Sequence, residues 1–205
     1  MTPWLLVAIA LLIAAVLTQV LVPRLGERRI ERHLAGNGGE AFVAIAAMPA
    51  LRLLRGTGDR ILVRGRRLAI GMSTEGGGLT ALDGFAEVDI ALRDFSTGPF
   101  EVAYFELTRN GDGPYLMRSE AVTSGVALAG YSSEQIGGLA LLLHVLAKQA
   151  PLGSRGVPVS VEVELTSAEG MVSISSGGGT IAGYPAGPIA AMIAAAVARR
   201  LEINY

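Results

Sequence analysis

Cysteine is absent from this chain of 205 residues. That excludes a disulfide framework and a thiolate metal site, and it leaves the compartment open. Histidine occurs only at His33 and His144, and lysine only at Lys148. Imidazole chemistry therefore has little to draw on. Aromatic residues are 5% of the chain against 51% hydrophobic, so the apolar mass is aliphatic. It is large enough for a sizeable core, which excludes global disorder. The length fits one domain with an appendage.

Net charge is nearly absent too, at −1, but the charge is unevenly placed. Residues 24–67 hold ten arginines against Glu27, Glu31, Glu40 and Asp59, a net of +6. From Leu68 onward seven basic residues face fourteen acids, a net of −7. The stretch "MPALRLLRGTGDRILVRGRRL" carries six of the arginines among bare aliphatic residues.

Residues 4–22, "WLLVAIALLIAAVLTQVLV", contain no charge, and only Thr18 and Gln19 are polar. At 1.5 Å per residue the run just crosses a hydrocarbon layer of ~30 Å. Trp4 stands at one end and Pro23-Arg24 at the other, as an interfacial aromatic and a flank should. No small-x-small cleavage site follows, so a retained anchor over residues 1–23 is expected rather than a removed signal. Arg24, Arg28, Arg29 and Arg32 lie after the run, and "MTP" before it has no basic residue. The positive-inside rule would keep the arginine side cytoplasmic.

The body, residues 24–205, alternates helix and strand signals. "RLGERRIERHLAG" predicts a helix over 24–35, with Leu25, Ile30 and Leu34 apolar. Strands are expected near 40–48, 59–72, 86–95, 100–108, 115–130, 157–165 and 171–175. "FEVAYFEL" is apolar on both faces and should be covered on both. Ser132 with Gln135 caps a helix over 132–149, and Pro188 opens another over 187–201. There is no βαβ rhythm. The fold class is α+β: an N-terminal transmembrane helix, then a curved, mainly antiparallel sheet wrapped on long apolar helices.

Chemistry is sparse. "GYSSE" has Glu134 where a nucleophile elbow needs Gly, and His144 shares the helix that Ser132 caps, so a serine N-cap is the plainer reading. The "GGG" runs at Gly76 and Gly177 lack a phosphate-loop setting and read as turns. Glu87, Asp89, Glu101, Glu106, Glu162 and Glu164 alternate on strands as a solvated sheet face. No catalytic residue, metal site or cofactor is expected, and the chain reads as a non-enzyme. The arginines leave three readings: a solvated face, an anionic-headgroup surface, or a nucleic-acid site. The last wants aromatics for stacking, and this stretch has none, so nucleic acid is not expected as a partner.

"FVAIAAMPALRLLRGTGDRILVRGRRL" resembles the signature of the LmeA-like phospholipid-binding family of actinobacterial cell envelopes. The matching positions are Phe42, Pro49, Leu53, Leu54, Gly56, Ile61 and Val63. "GLTALDGFAEVDIALRDF" and "GYPAGPIAAMIAAAVARRLEI" are also similar to the family's pattern. The resemblance implies a tubular lipid-binding (TULIP-like) half-barrel, whose apolar groove takes acyl chains outside the plasma membrane. The expected function is then that of a membrane-tethered lipid-binding or lipid-transfer protein with a phospholipid or similar amphiphile as ligand. The expected groove wall is Leu53, Leu54, Ile61, Val63, Ile136, Leu139, Leu143, Leu146, Ile189, Met192, Ile193 and Val197. Arg52, Arg55, Arg60, Arg64 and Arg66 would face anionic headgroups at the membrane surface. The competing expectation is a membrane-anchored structural or interaction domain with a packed core and no ligand.

Overall fold

Alternating apolar and polar residues make strands with one face to bury, and one sheet collects them. The computed structural model describes residues 3–36, 38–70, 78–124, 156–168 and 171–187. In chain order these form α1 (Pro3–Ala35), β1 (Glu40–Ala46), a 3-10 helix (Ala50–Arg55), β2 (Gly58–Arg66), β3 (Ala69–Ile70) and α2 (Gly78–Leu82). Then follow β4 (Phe85–Thr97), β5 (Phe100–Asn110), β6 (Tyr115–Thr123), β7 (Val157–Ala168), β8 (Met171–Ile181) and β9 (Tyr184–Pro185). The fold is α+β. The sheet is open and runs β1-β2-β4-β5-β6-β7-β8-β9, with β3 beside β4.

Pairing is antiparallel except where β2 and β3 meet β4. That parallel step departs from the expected absence of βαβ units: the chain leaves β3, forms α2 and returns as β4. The strand expected over 59–72 is split, because Arg67 takes a positive φ of 54° between β2 and β3. The predicted helices over 132–149 and 187–201 lie outside the described residues, with eight of the twelve expected groove residues.

One face of the sheet builds the core. Ile61 and Val63 of β2, Val88, Ile90 and Leu92 of β4, and Phe105 and Leu107 of β5 are buried there. Met117 of β6 and Val161, Val163 and Leu165 of β7 extend it. Ile30, Leu34, Leu68, Leu79 and Leu82 join the same cluster. Phe95 meets Phe105 edge to face, with centroids 6.4 Å apart. Among the described residues β5 is covered on one face, where the sequence leads one to expect cover on both. A register shift between Val102 and Tyr104 inserts one residue, so Phe100 and Val102 share a face with Phe105 and Leu107.

Two glycines decide local geometry. Gly56 ends the 3-10 helix in the left-handed region, at φ 71°. Gly177 lies inside β8 and is no turn. Its φ is +117°, and a Cβ there would come within 2.4 Å of the Glu162 carbonyl oxygen.

Helix α1 is continuous for 33 residues, through Pro23. The sequence predicts an anchor over 1–23 and a separate helix over 24–35, and the structure joins them. An interior proline costs a helix about 3 kcal/mol, so docking of the segments on both sides must offset it. Among the residues whose side chains are described, no helix is long and apolar enough to cross a membrane. Those side chains begin at Leu11, within the uncharged run.

Candidate functional site

The seam between α1 and β1 governs everything near the N-terminus. β1 is an edge strand, so alternate N–H groups on its outer side have no strand to meet. Glu27 Oε1 accepts the Ile45 N–H at 2.9 Å, and Glu31 Oε1 accepts the Val43 N–H at 3.0 Å. Four residues of helix advance about 6 Å and two of strand about 6.8 Å, so the spacings match. Two turns earlier, the Gln19 amide clips the next loop. Its Nε2 donates to the Ala47 carbonyl at 2.7 Å, and its Oε1 accepts the Ala50 N–H at 2.8 Å. Thr18 donates to Ala14 O at 2.8 Å, so both polar side chains of the apolar run are satisfied.

The clipped loop is the 3-10 helix. At three residues per turn, side chains three apart eclipse and the helix has three stripes. Ala50 is buried and Leu53 packs partly buried against the core. Leu51 and Leu54 are exposed, as is Met48 just before them. Arg52 and Arg55 form the third stripe. Arg52 reaches Asp59 at 2.6 Å, and Asp59 also accepts the Met48 N–H at 2.7 Å. Arg55 has no ion pair among the described residues.

The outer face of the sheet is laced by charge. Arg60 lies 3.5 Å from Glu87, Arg64 lies 2.6 Å from Asp89, and Arg118 lies 2.7 Å from Glu162. The Arg64 pair is bidentate, with its second contact at 2.8 Å. That hydrogen bonding holds the Asp89 carboxyl below the usual carboxylate range and raises Arg64, against a smaller desolvation cost to each. The Tyr104 hydroxyl donates to Glu106 at 2.5 Å, which pushes its own pKa up. Among the described residues no three His, Asp or Glu side chains converge on a cation position.

A depression of about 420 Å³ lies on this face at the far end of β2, lined by Glu40, Phe42, Arg64, Arg66 and Arg93. Arg66 and Arg93 stand opposite each other in register. Arg93 stacks over Tyr104, with its guanidinium carbon 5.8 Å from the ring centroid. Arg66 has no ion pair among the described residues. A second depression, of about 440 Å³, is acidic, with Glu106, Glu162 and Glu164 around Arg118.

The five predicted headgroup arginines therefore do not share one rim. Arg52 and Arg55 sit on the 3-10 helix. Arg60 and Arg64 are drawn onto the sheet by acids. Arg66 is six strand residues beyond Arg60, about 20 Å at 3.3 Å per residue. Of the four predicted groove residues within the described segments, Ile61 and Val63 are core and Leu53 is half-buried. Leu54, at 73% exposed, faces outward.

Comparison with protein-family models, with curated proteins and with solved structures finds no match to this chain. Its own geometry has to carry the functional reading.

One cluster went unread in the sequence. Asp83, in the turn before β4, accepts from Tyr115 Oη at 2.9 Å and Ser167 Oγ at 2.6 Å, and pairs with Arg109 at 3.4 Å. The Arg109 side chain is 10% exposed and donates to the carbonyls of Leu82, Asp83 and Phe85. It also stacks on Tyr115, 4.6 Å from the ring centroid. The group ties β5, β6 and β7 to one turn, and its members are 84 residues apart at the extreme. No spacing in the sequence announces it.

Proposed function

We propose that this chain is a membrane-tethered lipid-binding or lipid-transfer protein of the LmeA-like kind. Its ligand is a phospholipid or similar amphiphile, and it acts by binding without a covalent step. The observation that carries the reading is the N-terminal half of α1. Leu11, Leu12, Ile13, Val16 and Leu17 are each more than half exposed, at 67%, 68%, 52%, 58% and 52%. A contiguous aliphatic surface of that kind marks a membrane or partner site. The same helix is joined to edge strand β1 through Glu27 and Glu31 and to the following loop through Gln19. The resemblance implies a body on the extracytoplasmic side of the plasma membrane, whereas the arginines after the run argue for the cytoplasmic side. A protease-protection assay on intact cells and on opened ones decides between the two.

Supporting the lipid reading, the sheet has one apolar face, as a TULIP-like half-barrel requires. The test is native mass spectrometry of the full chain released from detergent, with lipid extraction alongside. Adducts of phospholipid mass are expected. A chain that flies without any amphiphile, from a preparation that still holds lipid, overturns the ligand.

The second reading, a tethered interaction domain without a ligand, is favoured by Ile61 and Val63. They were expected in the groove wall and are 0% and 1% exposed inside the core cluster. Ala190→Leu separates the readings. Loss of lipid with little loss of stability supports a groove, and a large loss of stability supports a filled core.

A further inference from the structure

We propose that the segment from Met48 to Arg55 is a membrane foot. Met48, Leu51 and Leu54 enter the boundary between headgroups and acyl chains of an anionic bilayer, and Arg55 meets its phosphates. The proposal rests on the tethered reading above and adds a second, separate contact with the same membrane.

Three observations carry it. The first is exposure. Met48 is 77% exposed, Leu51 55% and Leu54 73%, although Ala50 in the same short helix is 1%. The helix has an inner apolar stripe that packs and an outer apolar stripe that does not. Leu51 and Leu54 eclipse, so they present together.

The second is height. Gln19 bonds to Ala47 and Ala50, which sets the loop level with the end of the uncharged run. Only residues 4–18 of that run lie beyond this clip. Fifteen residues of helix reach about 22 Å. A hydrocarbon core is ~30 Å thick. The shortfall of about 8 Å falls within the 5–10 Å by which interfacial segments sink into the headgroup region. Burying the rest of the uncharged run, residues 19–22, brings the loop clipped by Gln19 down to the bilayer, and the surface that meets it there is the foot.

The third is charge. Arg55 lies on the same short helix as the exposed leucines and has no ion pair among the described residues, and Arg24 on α1 is exposed five residues past Gln19. That distance is about 8 Å along the helix axis. It is close to one Debye length at physiological salt, about 8 Å, so Arg24 can feel anionic headgroups. The foot is also held in shape: Asp59 takes both the Met48 N–H and the Arg52 guanidinium, and Gly56 closes the helix.

The chain has no cysteine, which makes the test direct. Full-length Met48→Cys, Leu51→Cys and Leu54→Cys are labelled with a nitroxide. They are reconstituted in vesicles of phosphatidylglycerol and phosphatidylcholine, and accessibility to oxygen and to a water-soluble nickel chelate is read by power saturation. Leu116→Cys, on the outer sheet face, gives the water standard, and Leu12→Cys reads the tether. The expected result is a shift of all three foot labels from water-like to lipid-like accessibility. Water-like values at Leu51 and Leu54 overturn the foot. If Leu12 is lipid-like in that case, the tether stands without a foot; if Leu12 is also water-like, both fail. Quenching of Leu54→Trp by brominated lipid, in a Trp4→Phe chain, reads the same depth without a nitroxide.

Discussion

Glu27 accepts the backbone N–H of Ile45 at 2.9 Å, from helix α1 to the edge of the sheet. A carboxylate here does what a neighbouring strand would otherwise do, and Glu31 repeats it one helical turn on. Glu27→Ala and Glu31→Ala each leave an edge N–H without its acceptor, at an expected cost of about 1–2 kcal/mol. Glu27→Gln keeps an acceptor and costs less. Hydrogen exchange checks the mechanism: the Ile45 amide exchanges faster in Glu27→Ala and the Val43 amide does not. Unchanged exchange at Ile45 would refute it.

The Arg64–Asp89 pair makes stability depend on acid pH. Arg64 holds the Asp89 carboxyl low in the folded state. A carboxyl held low stabilises the fold fully above its unfolded pKa of about 3.9, and loses that contribution as pH falls through the lower folded value. Wild type therefore melts above Arg64→Gln at neutral pH, and the two curves converge as the pH falls through the lowered folded value. Thermal melts across this range test the sign. A constant gap between the curves would mean that Asp89 is not involved.

Asp83 is the counter-charge of a buried arginine. Asp83→Ala strands Arg109, whose side chain is 10% exposed, and also frees Tyr115 and Ser167 of their shared acceptor. Breaking such a pair costs about 3 kcal/mol. Asp83→Asn keeps one acceptor oxygen and costs less. Urea denaturation of the two variants beside wild type measures the difference.

The arginines separate by distance. Arg55→Gln should weaken binding to anionic vesicles by about 1 kcal/mol. Arg66→Gln should leave it unchanged, because Arg66 is about 20 Å beyond Arg60 along β2, more than two Debye lengths from the end of the strand nearest the 3-10 helix. Co-sedimentation at low and high salt, with a chain that begins at Thr18 and keeps the Gln19 clip, compares them. Equal losses would return both residues to one membrane-facing rim.

Much of the fold was legible because strands alternate. "AEVDIALRDF" and "VPVSVEVEL" declare which side is buried, and Val88, Ile90, Leu92, Val159, Val161, Val163 and Leu165 are buried on it, while Ala86 at the strand start is exposed and Val157 half-buried. The pattern in "FEVAYFEL" misled because a one-residue bulge shifts its phase, and a bulge is settled by the partner strand. The candidate site was legible only as composition. The arginines were visible, and which of them would be neutralised was not. Arg64 meets Asp89 because β2 and β4 are parallel neighbours, a pairing that no local signal specifies.

Gln19 draws the same line. The sequence alone determined that residues 4–22 are apolar, that Gln19 interrupts them, and that Leu51, Leu54, Arg52 and Arg55 recur every three residues. Periodicity and hydropathy are local properties, so they can be read from the chain by itself. Only the tertiary structure decided that Gln19 clips the Ala47–Ala50 loop, that Pro23 leaves α1 unbroken, and that Leu51 and Leu54 stay exposed on the short helix that begins at this clip. Those outcomes depend on which backbone groups the edge of β1 leaves unpaired, and an unpaired group exists only once the sheet has formed.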